Sequence, residues 1–149
     1  MPGGLCFPLY ACSREIIKRY TPFLEKIDLT YTQYIAMMVL WGKKQISVKE
    51  LGKCLFLDSG TLTPLLKKLE QKGYVTRTRS EEDERVLIAA ITPKGEDLKD
   101  EAVLIPQKMM ACAALPQEKA AQLYRLLFTG RLLSEAVRQD FFVPMFSQS

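Results

Sequence analysis

The sequence predicts a mainly α fold with a small β-hairpin, arranged as a winged helix-turn-helix flanked by dimerisation helices. Three observations carry that prediction. Residues 47 to 73 hold two short apolar stripes at helical spacing, separated by Asp58-Ser59-Gly60. Tyr74 to Arg79 and Val86 to Ile91 then read as two strands joined by a polar turn. On both sides lie longer segments with helical apolar periodicity. At 149 residues and 48% hydrophobic content the chain suits a single domain over residues 1–149. Its winged core is expected at 47–92, and its dimerisation helices at 5–28 and 93–138.

The first helix is expected from the spacing of Leu9, Ile16, Ile17, Tyr20, Phe23, Leu24 and Ile27, with Pro8 in the first turn where proline is favoured. Thr30-Tyr31-Thr32-Gln33 forms a capping box that leads into the apolar stretch Tyr34 to Trp41. Ser47-Val48-Lys49-Glu50 repeats that signature and opens a short helix whose stripe is Leu51, Cys54 and Leu55. Asp58-Ser59-Gly60 breaks the pattern and supplies new cap oxygens. Leu62, Leu65, Leu66 and Leu69 then line one face as far as Gly73, a natural stop. Pro64 leaves two alternatives: a helix that starts late with Thr63 as its cap, or one that tolerates a local bend. Thr92-Pro93 caps a helix running towards Ala114 and interrupted at Ile105-Pro106, and Pro116 starts a last helix carrying Leu123, Leu126, Leu127 and Leu133. Apolar surface on helices outside the winged core is expected to pack against a second copy of the chain. The segment from Asp140 to Ser149 is left unassigned.

Opposite the leucines, the second helix of the core carries Ser59, Thr61, Thr63, Lys67 and Lys68. Hydroxyls near a helix N-terminus with lysines behind them suit a helix lying in the major groove of double-stranded DNA, in reach of base edges and phosphates together. Arg77, Arg79, Asp83 and Arg85 extend this surface along the hairpin. Lys67 to Arg79 sums to five positive charges and one negative, but Glu81, Glu82, Asp83 and Glu84 return four negative charges. Bulk charge therefore does not carry the reading. The acidic turn is either a solvated loop or a device that orients Arg77, Arg79 or Arg85, since an arginine at a hairpin tip can enter a narrow minor groove.

A formal charge of +4 with a pI near 8.9 permits nucleic-acid binding but leaves it to placement. No apolar run is long enough to cross a bilayer and the amino terminus lacks a leader pattern, so a cytoplasmic location is expected. The chain has no histidine, and its four cysteines, Cys6, Cys12, Cys54 and Cys112, form no Cys-x-x-Cys. Neither a zinc site nor a histidine-based triad can be built from these residues, and no metal, cofactor or enzymatic activity is expected. Cytoplasmic thiols are held reduced at rest. Cys6 lies just before the proline-marked helix start, where free amides and the helix dipole favour a thiolate. Tyr10, Tyr20 and Tyr31 offer phenolic donors to a thiolate or a peroxide oxygen. Cys6 is then either a peroxide-reactive thiol or a small buried apolar residue. Cys12 is a poor disulfide partner within the same chain, because six helical residues separate α-carbons by about 9 Å and a disulfide tolerates under about 7 Å. Cys54 sits on an apolar stripe and is expected to be packing.

Several stretches carry a family resemblance: Leu5-Cys6-Phe7 with Leu9-Tyr10-Ala11, Leu29 to Tyr34, Leu57 to Lys67, and Arg79 to Arg85. Across roughly residues 5 to 135 the chain resembles the MarR family of transcriptional regulators, specifically its organic-hydroperoxide-sensing OhrR type. The Asp-x-Arg wing marks the family, and the amino-terminal cysteine motif narrows it to peroxide sensing. The resemblance implies that Cys6 is the peroxidatic residue, Tyr20 and Tyr31 its phenolic partners, and Arg85 the minor-groove arginine. It also implies a homodimer with the sensing pocket at its interface, an inverted-repeat operator, and repression of a peroxide-detoxifying gene. Two-cysteine members carry their second thiol in the helix after the wing, where this chain has Lys108; Cys112 stands one helical turn on and is the candidate resolving thiol. Two alternatives belong to other classes. One is a small-ligand-responsive MarR-type regulator in which Cys6 is a bystander. The other is a cysteine peroxidase, whose thioredoxin-like sheet would need strands alternating with helices.

Overall fold

The computed structural model describes residues 4–113 and 115–129, apart from the side chains of Met110, Cys112, Ala113, Phe128 and Thr129. Seven helices and three strands follow in the order α1 Cys6–Glu25, α2 Tyr31–Lys43, β1 Gln45–Ser47, α3 Val48–Leu55, α4 Ser59–Gln71, β2 Val75–Arg79, β3 Leu87–Ile91, α5 Pro93–Ala102, α6 Ile105–Ala113 and α7 Gln117–Thr129. Leu133 and the segment 140–149 lie outside the described residues, as does the part of the expected 93–138 helical region beyond residue 129.

The expected caps form, but at Ser47 the expected box takes another shape, with the Glu50 carboxylate accepting from the Ser47 hydroxyl. Thr30 Oγ1 accepts from Gln33 N while Gln33 Oε1 accepts from Thr30 N, closing the box at α2. Ser47 accepts from Glu50 N at α3, Asp58 from Thr61 N at α4, and Thr92 from Gly95 N at α5. Each satisfies an amide that the helix itself leaves unbonded. Gly73, at φ 78°, ends α4 in the left-handed conformation that a residue without Cβ adopts freely.

Four details differ from the sequence expectation. Cys6 is the first residue of α1 rather than its forerunner, and Pro8 still lies where no intrahelical donor is required. Pro64 sits inside α4, so the helix starts at Ser59 and the late-start alternative fails. The hairpin strands begin at Val75 and Leu87, one residue later than expected. The sheet is not a two-stranded hairpin. β1 adds to it antiparallel, with Ile46 opposite Ala89, giving the order β1-β3-β2. Three residues between two helices carry too short an alternation to be seen in sequence, yet Ile46 is buried and anchors the strand. Among the described residues this antiparallel sheet is the only one, and the strand–helix alternation of a thioredoxin-like peroxidase is not there.

α2 is the central element. Its buried residues, among them Tyr34, Met37, Leu40 and Trp41, face α1, α3, α4, α5 and the sheet. Leu51 and Leu55 of α3 and the four leucines of α4 meet it from one side, and Leu24 of α1 from the other. Cys54 is buried in this core, as expected of packing. Apolar residues also remain uncovered: Leu5, Phe7, Tyr10, Ile16 and Ile17 on α1, Val103 and Leu104 after α5, and Leu123 and Leu126 on α7. No helix among the described residues is long and apolar enough to cross a membrane.

Candidate functional site

The burial of Leu62, Leu65, Leu66 and Leu69 fixes which face α4 turns outward. Ser59, Thr61, Thr63, Lys67 and Lys68 are all exposed on it. This is the surface expected of a recognition helix: hydroxyls at the amino-terminal end, ammonium groups behind them, and the amide end of the helix leading.

The wing holds its arginines in three different ways. Arg77 is turned back onto α4. Its Nε and Nη2 donate to Glu70 Oε2 at 3.1 and 2.7 Å, and its backbone N–H donates to Glu70 Oε1 at 3.1 Å. The Arg77 guanidinium holds the Glu70 carboxyl below its ordinary range. The expectation of a projecting Arg77 is therefore corrected: it clasps the recognition helix to β2. Arg79 donates from Nη1 to the Glu84 carbonyl across the turn. Arg85 stands at the start of the returning chain with its side chain 92% exposed, and Asp83 Oδ1 accepts from both its backbone N–H and its Nε. The acidic turn thus orients Arg79 and Arg85. Asp83 fixes the base of a side chain whose far end is open to solvent, as a minor-groove probe requires.

An open groove of about 820 Å³ runs between α3, the start of α4 and the wing, with Val48, Lys49, Lys53, Phe56, Leu62 and Arg85 among its walls. Lys49 and Lys53 were not singled out in the sequence; they extend the cationic surface from the recognition helix onto α3.

The thiol lies at one end of α1 and the phenol of Tyr20 towards the other, where the phenols of α2 meet it. Cys6 is exposed at its amino-terminal end. Tyr20 follows fourteen residues later on the same helix, about 21 Å along the axis at 1.5 Å per residue. Tyr20 and Tyr31 pack edge to face with ring centroids 5.4 Å apart. Tyr34, not singled out in the sequence, completes the cluster at 5.9 Å from Tyr20 and 6.4 Å from Tyr31. Its signal was present, since Tyr31 and Tyr34 lie three apart on one helix and so share a face. Burial pushes all three phenols up, Tyr34 furthest, with the neighbouring phenols adding to the effect on Tyr34 and Tyr20. These are neutral hydrogen-bond donors at physiological pH. Within one chain Cys6 and the phenols are not brought together. Cys12 is exposed on α1, and Cys112 lies on α6 with its side chain outside the described residues. Among the described residues no cluster of His, Cys, Asp and Glu could hold a metal ion.

The transcriptional regulator SarA/Rot family matches residues 18–102. The organic hydroperoxide resistance transcriptional regulator of Bacillus subtilis (strain 168) is 48% identical over 129 residues, covering 87% of this chain and 88% of that protein. Among solved structures, reduced AbfR bound to DNA aligns with a TM-score of 0.70 at 33% identity over 84% of this chain and 86% of the other; AbfR is a protein of Staphylococcus epidermidis. Disulfide-formed AbfR gives a TM-score of 0.62 at 34% identity over 83% and 88%. Overoxidised AbfR bound to DNA aligns as well as the reduced form, with a TM-score of 0.70, so the conformation described here is more similar to the DNA-bound forms than to the disulfide form. A winged helix with an exposed recognition face, matched over most of its length to regulators of this kind, assigns the chain to the MarR-type winged-helix transcriptional regulators, in the group that holds the SarA/Rot proteins and the organic hydroperoxide regulators.

Proposed function

We propose that the protein is a homodimeric repressor that binds an inverted-repeat operator when reduced and leaves it when an organic hydroperoxide oxidises Cys6. The observation that carries the reading is the placement of the thiol. Cys6 sits exposed at the head of a helix flanked by the uncovered apolar residues Leu5, Phe7 and Tyr10, while the phenols lie about 21 Å along that helix. A second subunit that covers this surface with α1 reversed brings Cys6 of one chain to Tyr20 and Tyr31 of the other, and closes an apolar pocket suited to an organic peroxide. The helical regions 5–28 and 93–138 supply that interface, and residues 47–92 remain free for DNA. Two copies of α4 then enter successive major grooves about 34 Å apart, with Ser59, Thr61 and Thr63 towards the bases and Lys67 and Lys68 towards phosphates. Arg85 enters the flanking minor groove, positioned by Asp83, and Arg79 lies beside it.

The chemistry is balanced by the peroxide alone. The Cys6 thiolate attacks the terminal peroxide oxygen, the O–O bond breaks, and the alkoxide leaves as an alcohol after taking a proton, which the phenols are placed to lend. Sulfur is oxidised to sulfenic acid and the peroxide is reduced. A second thiol then attacks the sulfenic sulfur, forming an S–S bond and releasing water. Cys112 of the partner subunit, on α6, is the assigned second thiol. Bringing α1 and α6 within disulfide range shifts the two DNA modules out of register. No cofactor takes part, and the protein acts by binding rather than by turnover.

The test is an operator gel-shift titrated with cumene hydroperoxide. Wild type is expected to release DNA at stoichiometric oxidant, and Cys6→Ser to bind as tightly but ignore it. Release of Cys6→Ser at wild-type doses, or release of wild type by a phenolic ligand with its thiols intact, contradicts the reading.

A further inference from the structure

We infer that Tyr34 and Trp41 are positioning residues that connect the Tyr20–Tyr31 pair to the carboxyl-terminal end of the recognition helix, so that oxidation at Cys6 is felt there; the inference rests on the thiol-sensing reading above. The connection is a continuous packed chain. Tyr34 lies against both Tyr20 and Tyr31 and is only 4% exposed. Its ring meets Trp41 edge to face at 6.3 Å, two turns further along α2. Trp41 Nε1 donates a buried 2.8 Å hydrogen bond to the carbonyl of Gly95, 54 residues away in the first turn of α5.

Gly95 has no slack. A Cβ built on it would fall 2.3 Å from the Tyr74 carbonyl oxygen, so α5 is pressed directly on the chain that leaves α4. Two further bonds tie that turn of α5 to the end of the recognition helix. Thr92 Oγ1 donates to Gly73 O at 2.6 Å, and Lys94 Nζ donates to Lys72 O at 2.8 Å. Close-packed rings transmit a displacement because they have no void in which to absorb it. Chains of packed side chains and hydrogen bonds of this kind carry coupling between distant sites when they have two discrete arrangements, and the experiment below tests for the second one. Tyr34 and Trp41 touch neither DNA nor Cys6 within the chain. Their contribution is to the coupling between the two events.

Trp41 is the only tryptophan in the chain, so its fluorescence reports on the link in the unmodified protein. Stoichiometric cumene hydroperoxide is expected to shift Trp41 emission of the reduced full-length wild type in step with DNA release, and to leave Cys6→Ser unchanged. Trp41→Phe keeps an aromatic ring and removes the N–H. It is expected to bind operator like wild type when reduced, to lose its Cys6 thiol to the peroxide at the wild-type rate, and to show a release factor at least about fivefold smaller, within the usual span of allosteric coupling. A merely structural tryptophan would alter reduced binding or folding without uncoupling the two. Oxidised Trp41→Phe that leaves DNA like wild type overturns the inference while sparing the sensing reading, and so does wild-type emission that stays constant while DNA is released. The emission arm decides alone if Trp41→Phe does not fold. Peroxide-driven release of Cys6→Ser overturns the sensing reading itself, and the link with it.

Discussion

Arg77 and Arg85 are eight residues apart in one wing and are held in opposite ways, so a pair of substitutions separates a structural clasp from the proposed DNA-reading role. Arg77 has a side chain 20% exposed and shares three hydrogen bonds with Glu70, itself 38% exposed. Exposed ion pairs contribute about 0.2–1 kcal/mol and hydrogen bonds to charged groups about 1.5–3. Solvent access to Glu70 discounts the upper figure, which leaves about 1–2 kcal/mol for the clasp. Arg77→Gln is therefore expected to lower stability by about that amount, and a double-mutant cycle with Glu70→Gln to show coupling of about 1 kcal/mol. Arg85, 92% exposed with Asp83 as its acidic partner, should leave stability within about 0.5 kcal/mol when replaced by Ala. The same Arg85→Ala change should weaken operator binding by about 1–3 kcal/mol if it reads the minor groove. Urea unfolding at one fixed protein concentration measures the first quantity, because a dimer's stability depends on concentration. Anisotropy titration of a labelled operator at one fixed salt concentration measures the second. The pH dependence has a sign. Arg77 lowers the folded-state pKa of Glu70 below its ordinary value of 4.5, so the clasp is fully present above that value and is lost as pH falls through the folded-state value. The stability gap between wild type and Glu70→Gln should therefore be flat near neutrality and close in acid. An Arg77→Gln protein as stable as wild type, or an Arg85→Ala protein that folds normally and binds operator undiminished, would refute the division of roles.

Two further outcomes follow from the packing. Gly95→Ala places a methyl group 2.3 Å from the Tyr74 carbonyl oxygen and 2.9 Å from Ile91 Cγ1, and should cost about 3 kcal/mol, at the upper end of overpacking penalties; a urea midpoint equal to wild type would mean that α5 can move off Tyr74 and the end of β3 freely. The buried Tyr34 and the half-buried Tyr20 and Tyr31 have folded-state pKa values raised above the ordinary 10.0, so they favour the folded state below that pH and lose this contribution as pH rises through their folded values. Phenolate absorbance should accordingly rise in a late step coinciding with alkaline unfolding. Ionisation of all three at the ordinary phenol value while the protein stays folded would contradict the burial.

Much of the fold was legible because it is written in short-range chemistry. Thr30, Ser47, Asp58 and Thr92 each place an oxygen where a helix must start, and the leucine spacing of α4 settles which face is buried and hence which hydroxyls and lysines face outward. The Asp83–Arg85 contact was legible for the same reason, with only Glu84 between donor and acceptor. What the sequence did not reveal depends on long-range pairing. β1 exists because Ile46 finds Ala89 across the sheet, and no three-residue pattern announces that. Arg77 was read as a projecting cation because cations near a recognition helix usually are; Glu70, the last residue but one of α4, holds it back against the helix. Tyr34 and Trp41 read as core, which they are, and only the Gly95 carbonyl 54 residues away gives the indole a direction. The separation of Cys6 from Tyr20 follows once α1 is continuous from one to the other, and for that reason the proposed sensing site draws on a second subunit.

The central claim is that the oxidation state of Cys6 sets affinity for DNA. The most direct test titrates operator-bound wild type with increasing equivalents of cumene hydroperoxide, reading DNA release by anisotropy and the Cys6 thiol by mass spectrometry in the same samples. The account predicts that release tracks the loss of the Cys6 thiol equivalent for equivalent, that the product is a disulfide, and that a thiol reductant restores both the thiol and binding. DNA release while Cys6 remains a free thiol would contradict it, as would a protein that stays bound after Cys6 has become a disulfide.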